Sequence, residues 1–124
     1  MKASVKEWMA KAEGDRVSAL RELRARKSPN YDSACFHAQQ CIEKLLKATI
    51  DAHGGTVSKV HDLAVLLNAC LPKYPLWEAM RGDLEMLSQY AVLFRYPGHS
   101  ADRAKAGNAV AAMTRCRAEI LPID

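Results

Sequence analysis

The chain has 124 residues, of which 49% are hydrophobic, 26% charged and 6% aromatic. This composition is typical of a globular domain, and it excludes the collagen-like, low-complexity and intrinsically disordered classes. A net charge of +4 mildly favours an anionic partner, and the length predicts a single domain over residues 1–124.

The N-terminal residues and the cysteines together predict a cytoplasmic protein. The first seven residues, MKASVKE, lack the apolar stretch of a secretory signal, and no run approaches the ~20 apolar residues of a membrane span. The four cysteines form no Cys-x-x-Cys pair and are Cys35, Cys41, Cys70 and Cys116. We expect them to be reduced and buried, as small hydrophobic side chains.

The prolines and the apolar spacing predict an all-α protein. Each of the five prolines falls where a helix could end, and the segments between them carry helical rather than strand periodicity. We expect four long helices and one short helix in an up-and-down bundle, because short connections favour antiparallel neighbours. The predicted helices run from about Val5 to Arg26, from Asn30 or Asp32 to Gly54-Gly55, between Ser58 and Pro72, from about Leu76 to Arg95, and from the cap Ser100 to Leu121.

Three predicted helices carry informative residues on their apolar faces. In the first, Asp15 interrupts an apolar stripe, and a buried carboxylate there needs a cation or hydrogen-bond donor from a facing helix. In the second, the apolar arc covers about half of the circumference and includes Gln39. Such an arc suits a helix with several neighbours or a surface that binds a partner protein. In the fourth helix, Leu76 begins the predicted core line.

The opposite side of the second helix carries Gln40, Lys44 and Lys47. A lysine stripe on a helix is commonly a solvated surface, but beside a second basic element it can hold phosphate groups as point charges. The sequence leaves both interpretations open.

The run Arg95-Tyr96-Pro97-Gly98-His99 places a guanidinium, a phenol and an imidazole at the end of the fourth helix. Arginine grips phosphate bidentately, tyrosine stacks on bases, and histidine titrates near neutral pH. An acid–base group beside a cation is what metal-free RNA cleavage requires. A simple helix-terminal turn with incidental polar residues is the alternative. Because the chain has no phosphate-binding loop and no zinc-ligand spacing, neither a metal site nor a cofactor is predicted.

An ordered set of motifs resembles the HEPN domain family. Residues 36–48, FHAQQCIEKLLKA, are similar to the family's second-helix signature, and Trp8 with Ala12-Glu13 and Asp15 is similar to the start of its first helix. Further motifs follow in the family's order: His61-Asp62-Leu63, Tyr90-Ala91-Val92 and Arg95-Tyr96-Pro97-Gly98. The resemblance extends over about residues 5–121.

The resemblance implies a bundle of four to five helices, commonly a homodimer and often encoded beside a minimal nucleotidyltransferase as a toxin–antitoxin pair. Some members are ribonucleases with an Arg-x(4–6)-His motif, and others bind nucleotides or are non-catalytic. Carried onto this chain, the motif residues are Arg95 and His99, although only three residues separate them and Pro97 fixes the backbone between them.

The favoured hypothesis is therefore a HEPN-like homodimer that binds a nucleotide or RNA. Its expected ligand contacts come from Gln40, Lys44, Lys47, Arg95 and Tyr96, while Asp15, His61 and Tyr90 have orienting roles. The alternatives are a metal-independent ribonuclease that uses Arg95 and His99, and a non-catalytic protein-interaction module.

Overall fold

The computed structural model describes residues 1–123, and within them it contains helices and no strand. Five α-helices and one 3₁₀ helix follow in the order α1 Ala3–Arg24, α2 Tyr31–Ala52, α3 Leu63–Cys70, the 3₁₀ helix Pro75–Met80, α4 Arg81–Leu93 and α5 Arg103–Ile120. The predicted all-α bundle is confirmed. α3, with eight residues, is the short helix.

Helix α2 forms the centre of the bundle. It packs against α1, α3, α4 and α5, and 12 of its 22 residues are buried. The wide apolar arc is therefore used inside the chain, because four helices cover it. The expectation that this arc offers a surface to a partner protein is wrong for that reason.

The helix ends show which polar side chains set the boundaries. The Asn30 side chain caps α2 by accepting a hydrogen bond from the backbone N–H of Ser33 at 2.9 Å. Asn30 is one of the two residues predicted for this cap. After α2 the chain turns at Gly54, whose φ of +78° favours glycine. The prediction that Ser100 caps α5 is wrong: the cap is Asp102, two residues later, which is extended and accepts a hydrogen bond from the N–H of Lys105 at 2.8 Å.

The predicted fourth helix divides into two parts, and its first core residue changes. The 3₁₀ helix Pro75–Met80 precedes α4, and it has three residues per turn rather than 3.6. The side chains at its start are therefore rotated relative to an α-helix. Leu76 is 82% exposed, whereas Trp77 is buried and stacks on Tyr74 with ring centroids 4.2 Å apart.

The four cysteines are buried and free, as predicted. Burial raises the pKa of Cys35 and Cys70 to about 11 and that of Cys41 and Cys116 to about 12. The thiols therefore stay protonated at neutral pH and act as small core side chains. Within residues 1–123, no helix combines the length and apolar character needed to cross a membrane.

Candidate functional site

A groove lies between α2, α4 and the residues that lead into α3. It encloses a cavity of about 200 Å³, and we call it the α2–α4 groove. Its lining comprises Gln39, Gln40, His61, Asp62, Ser88, Ala91, Val92 and Arg95. Three residues singled out in the sequence, Gln40, His61 and Arg95, therefore come together here from three separate segments.

A buried carboxylate organises the polar side chains on one side of the groove. Glu43 is 4% exposed, and Lys47 Nζ donates to its Oε2 at 3.1 Å. Gln39 Nε2 donates to Glu43 Oε1 at 3.1 Å, and His61 Nδ1 lies 3.1 Å from both carboxylate oxygens. Each partner donates to an ion that would otherwise be costly to bury, so the arrangement of these side chains is tightly specified.

Lys47 is not part of a solvated lysine stripe, which was one of the two interpretations that the sequence left open. Its side chain is only 5% exposed, because α1 packs across this part of α2. The ammonium lies 5.8 Å from the centroid of the Trp8 ring and is paired with Glu43. Lys47 is thus a buried cation that neutralises the Glu43 carboxylate, and it does not line the groove.

Lys44 is directed toward α1, where its ammonium pairs with the buried Asp15 carboxylate. Its Nζ donates to Asp15 Oδ2 at 2.5 Å, and His37 Nδ1 lies 2.7 Å from Asp15 Oδ1. The prediction that Asp15 pairs with a cation on a facing helix is confirmed. Because this pair joins α1 to α2, Lys44 does not line the α2–α4 groove either.

Arg95 is the cation of the groove. It is exposed, and its guanidinium carbon lies 5.3 Å from the centroid of the Phe36 ring. Within residues 1–123 it forms no ion pair with a carboxylate. A guanidinium supported by an aromatic face and without a carboxylate partner can bind an anionic ligand.

Arg95 also borders a second cavity, of about 310 Å³, on the other side of α4's end. Its lining comprises Asn30, Asp32, Ser33, Phe36, Tyr90, Ala91, Phe94 and Arg95. Ala91 and Arg95 line both this cavity and the α2–α4 groove. Tyr90 belongs to the wall of the second cavity, with its ring 5.2 Å from that of Phe94.

Two carboxylates, those of Asp62 and Asp32, each line one of the cavities that Arg95 borders. Each accepts a hydrogen bond from a backbone N–H. Asp62 Oδ1 accepts from the N–H of Ala64 at 2.9 Å, capping α3. Asp32 Oδ1 accepts from the N–H of Ala101 at 2.6 Å. Their charges keep this region from being strongly basic, so Arg95 supplies a local rather than an extended positive surface.

The structure does not place His99 beside Arg95 in the α2–α4 groove or in the second cavity. The backbone turns between them at Gly98, whose φ is +89°, and the N–H of His99 donates to the carbonyl of Tyr96 at 3.4 Å. Tyr96, 60% exposed, and His99 line neither the groove nor the second cavity. The histidine that shares the groove with Arg95 is His61.

Sequence reasoning missed Asp62 and Ser88 as groove residues and did not assign Gln39 to the site. Gln39 carried a signal, since a glutamine inside an apolar arc must have buried partners. Asp62 belonged to the motif His61-Asp62-Leu63 but was given no role, and Ser88 carried no signal, because only the packing of α3 against α4 brings it beside α2. Among residues 1–123, no group of three or more His, Cys, Asp or Glu side chains could hold a metal ion.

Comparison with known proteins gives a family and a similar structure. The model of the HEPN domain matches residues 5–120. The crystal structure of TT1696 from Thermus thermophilus is similar, with a TM-score of 0.81 and 22% identity, over 96% of this chain and 97% of that chain. At that identity the likeness concerns the fold alone. No curated protein gave a significant match.

Proposed function

The chain belongs to the HEPN domain family, and on that premise we propose that it binds a nucleotide or RNA in the α2–α4 groove. The observation that carries the proposal is the Arg95 guanidinium, which borders the groove without a carboxylate partner in residues 1–123. Phosphate is the ligand group that matches a planar guanidinium by forming two parallel hydrogen bonds.

The remaining predicted contacts take different roles in this proposal. Gln40 offers an amide to the ligand from within the groove, and Tyr96 offers an exposed ring beside Arg95 on which a base can stack. Lys44 and Lys47 act indirectly, because their ammonium groups are engaged by Asp15 and Glu43. They hold the α1–α2 contact and the Glu43 carboxylate in place.

Titration calorimetry with ATP, UTP and a short single-stranded RNA tests the proposal. We expect Arg95→Gln to weaken binding by about tenfold or more, since a charged hydrogen bond to phosphate contributes ~1.5–3 kcal/mol. Arg21→Gln is the matched control, because Arg21 is an exposed arginine on α1 that lines neither cavity. The proposal fails if the folded protein binds none of the three ligands, or if both variants bind like the original chain.

Metal-independent RNA cleavage is a second candidate function, and the presence of an imidazole in the groove favours it. Arg95 would stabilise the charge that develops on the phosphate, and a histidine would transfer the proton. The sequence points to His99 for that step, whereas the groove contains His61. Cleavage assays in EDTA with His99→Ala and His61→Ala decide between them, and cleavage by both variants at the original rate removes both residues from the mechanism.

The proposal also includes a cytoplasmic homodimer that acts as the toxin-like partner of a minimal nucleotidyltransferase. Val92 lines the groove and is 58% exposed, so it leaves apolar surface at the groove edge that a second copy can cover. Size-exclusion chromatography with light scattering should give twice the chain mass. Co-expression with a nucleotidyltransferase encoded by an adjacent gene should give a stable complex, and a persistent monomer would contradict the homodimer.

A further inference from the structure

The His61 ring lines the α2–α4 groove, and Glu43 determines which ring nitrogen carries a hydrogen. His61 Nδ1 lies 3.1 Å from both carboxylate oxygens of Glu43. That carboxylate is 4% exposed and is paired with the Lys47 ammonium, so it accepts hydrogen bonds and does not donate them. Nδ1 must therefore carry a hydrogen whether the imidazole is neutral or charged.

The nitrogen of His61 that gains or loses a proton is consequently Nε2. Within residues 1–123 no group is hydrogen-bonded to it, and the His61 side chain is 75% exposed. In the neutral ring Nε2 is an acceptor, whereas in the imidazolium it is a charged donor. Protonation thus changes what His61 offers to a ligand in the groove from an acceptor to a cationic donor.

The charges around the groove balance while His61 is neutral. Besides His61, the groove lining contains two charged side chains, Arg95 of α4 and Asp62 ahead of α3, and their charges are opposite. Glu43, which contacts the ring, is neutralised by Lys47. A protonated His61 therefore adds one positive charge that no carboxylate compensates. An anion bound in the groove stabilises this charged form of the ring, because opposite charges attract.

From this geometry we propose that His61 is a second binding residue for the phosphate groups of the ligand, and that the ligand binds with uptake of a proton at His61 Nε2. The inference rests on the proposed function, because it names a further contact between the same groove and the same class of ligand. The proton comes from the solvent and adds to the Nε2 lone pair, so that Nε2–H donates to the bound anion. Glu43 contacts the ring but does not line the groove, and it is a positioning residue.

Titration calorimetry of the full chain with a short oligouridine RNA that ends in hydroxyl groups tests the inference. The phosphodiesters of this probe keep their charge near neutral pH, so the probe itself does not titrate. We expect binding to weaken by about tenfold between about pH 5.5 and about pH 8, because the charged donor is lost. Titrations at one pH in buffers of different ionisation enthalpy should show uptake of up to about one proton per bound ligand.

Two variants assign this proton to one ring. His61→Gln keeps a polar side chain beside Glu43 but cannot become a cation, so it should remove the proton uptake while Arg95-dependent binding persists. His53→Gln is the matched control, because His53 is a half-buried histidine at the end of α2 that lines neither cavity. UTP is a second probe. Its terminal phosphate titrates near about pH 6, so only the difference in proton uptake between the original chain and His61→Gln is used.

The positioning role of Glu43 has its own readout. Nitrogen NMR of the imidazole at about pH 8 distinguishes the two neutral tautomers, and we expect the hydrogen of His61 on Nδ1. A Glu43→Met, Lys47→Met double variant removes the acceptor together with its counter-charge, so the hydrogen should move to Nε2, as in a free histidine. A carboxylate that only stabilises the fold would leave the tautomer unchanged. Circular dichroism confirms that each variant is folded before it is measured.

The outcomes separate this inference from the proposed function. Arg95-dependent binding of either probe with equal proton uptake by the original chain and by His61→Gln overturns the role of His61 and leaves the proposed function standing. A neutral His61 that carries its hydrogen on Nε2 in the original chain also overturns the inference. A folded chain that binds neither probe overturns both proposals.

Discussion

Replacing Glu43 with methionine should destabilise the protein more than replacing its partner Lys47, although the two form one ion pair. The Glu43→Met variant leaves the Lys47 ammonium, whose side chain is 5% exposed, without a carboxylate. Its remaining contact is the Trp8 ring at 5.8 Å. In the Lys47→Met variant, by contrast, the carboxylate keeps Gln39 Nε2 and His61 Nδ1, both at 3.1 Å.

The expected magnitudes follow from these remaining contacts. Breaking a buried pair costs about 3–5 kcal/mol, and a desolvated cation–π contact offsets ~1–2 kcal/mol of that cost, so Glu43→Met should cost about 1–4 kcal/mol, with a midpoint above that of Lys47→Met. Lys47→Met should cost about 1–2 kcal/mol, because the carboxylate keeps charged hydrogen bonds of ~1.5 kcal/mol or more. The double variant, with two apolar side chains in place of two charges, should lie within about 1 kcal/mol of the original chain.

Urea unfolding followed by far-ultraviolet circular dichroism measures all three free energies. The Glu78–Arg81 pair provides the matched control, since its side chains are 55% and 30% exposed. Glu78→Met should change the unfolding midpoint far less than Glu43→Met, because water replaces the lost partner. Equal effects of Glu78→Met and Glu43→Met would refute the reasoning. So would a Glu43→Met, Lys47→Met double variant whose cost equals the sum of the costs of its two single variants.

Three further predictions concern the rotated turn, a helix cap and the thiols. In thermal unfolding, Trp77→Ala should lower the free energy of unfolding by about 3–5 kcal/mol, and Leu76→Ala should lower it by less than ~0.5 kcal/mol. Similar losses for the two variants would contradict the 3₁₀ geometry. Asn30→Ala should cost about 1 kcal/mol in urea unfolding by removing the α2 cap, whereas Asn30→Asp should be nearly neutral. Burial raises the pKa of the four thiols from 9.0 to about 11 or 12. The contribution of the buried, protonated thiols to the free energy of unfolding is therefore complete below pH 9.0, and it decreases as the pH rises toward the folded-state pKa values. Ellman's reagent should accordingly react slowly with the native chain and rapidly in urea, and rapid native labelling would contradict the burial.

Both ends of α2 were predictable because each has a local cause. The Asn30 cap and the turn at Gly54 act on their own backbone, so the sequence alone locates both ends of α2. The start of α4 was not predictable in the same way. The choice between a 3₁₀ turn and an α-turn depends on which side chain fills the core, and there Trp77 takes the place that the periodicity assigned to Leu76.

The candidate site was only partly predictable, because it combines segments that are distant in the chain. Arg95 and Gln40 stood out by their chemistry and do line the groove. The burial of Lys47 depends on Trp8 of α1 and on Glu43, one turn away on α2, and periodicity on α2 alone places the lysine in solvent. Asp62 enters the groove through the packing of α3, which no local pattern specifies.

The wall that Ala91 and Arg95 form between the groove and the second cavity has a consequence for stoichiometry. Arg95 lines both cavities and carries one positive charge, so a phosphate bound in one cavity neutralises the charge that a phosphate in the other would need. Two phosphate-bearing ligands would compete for this arginine even though they occupy separate cavities. Each chain should therefore saturate at one such ligand, and a homodimer at two.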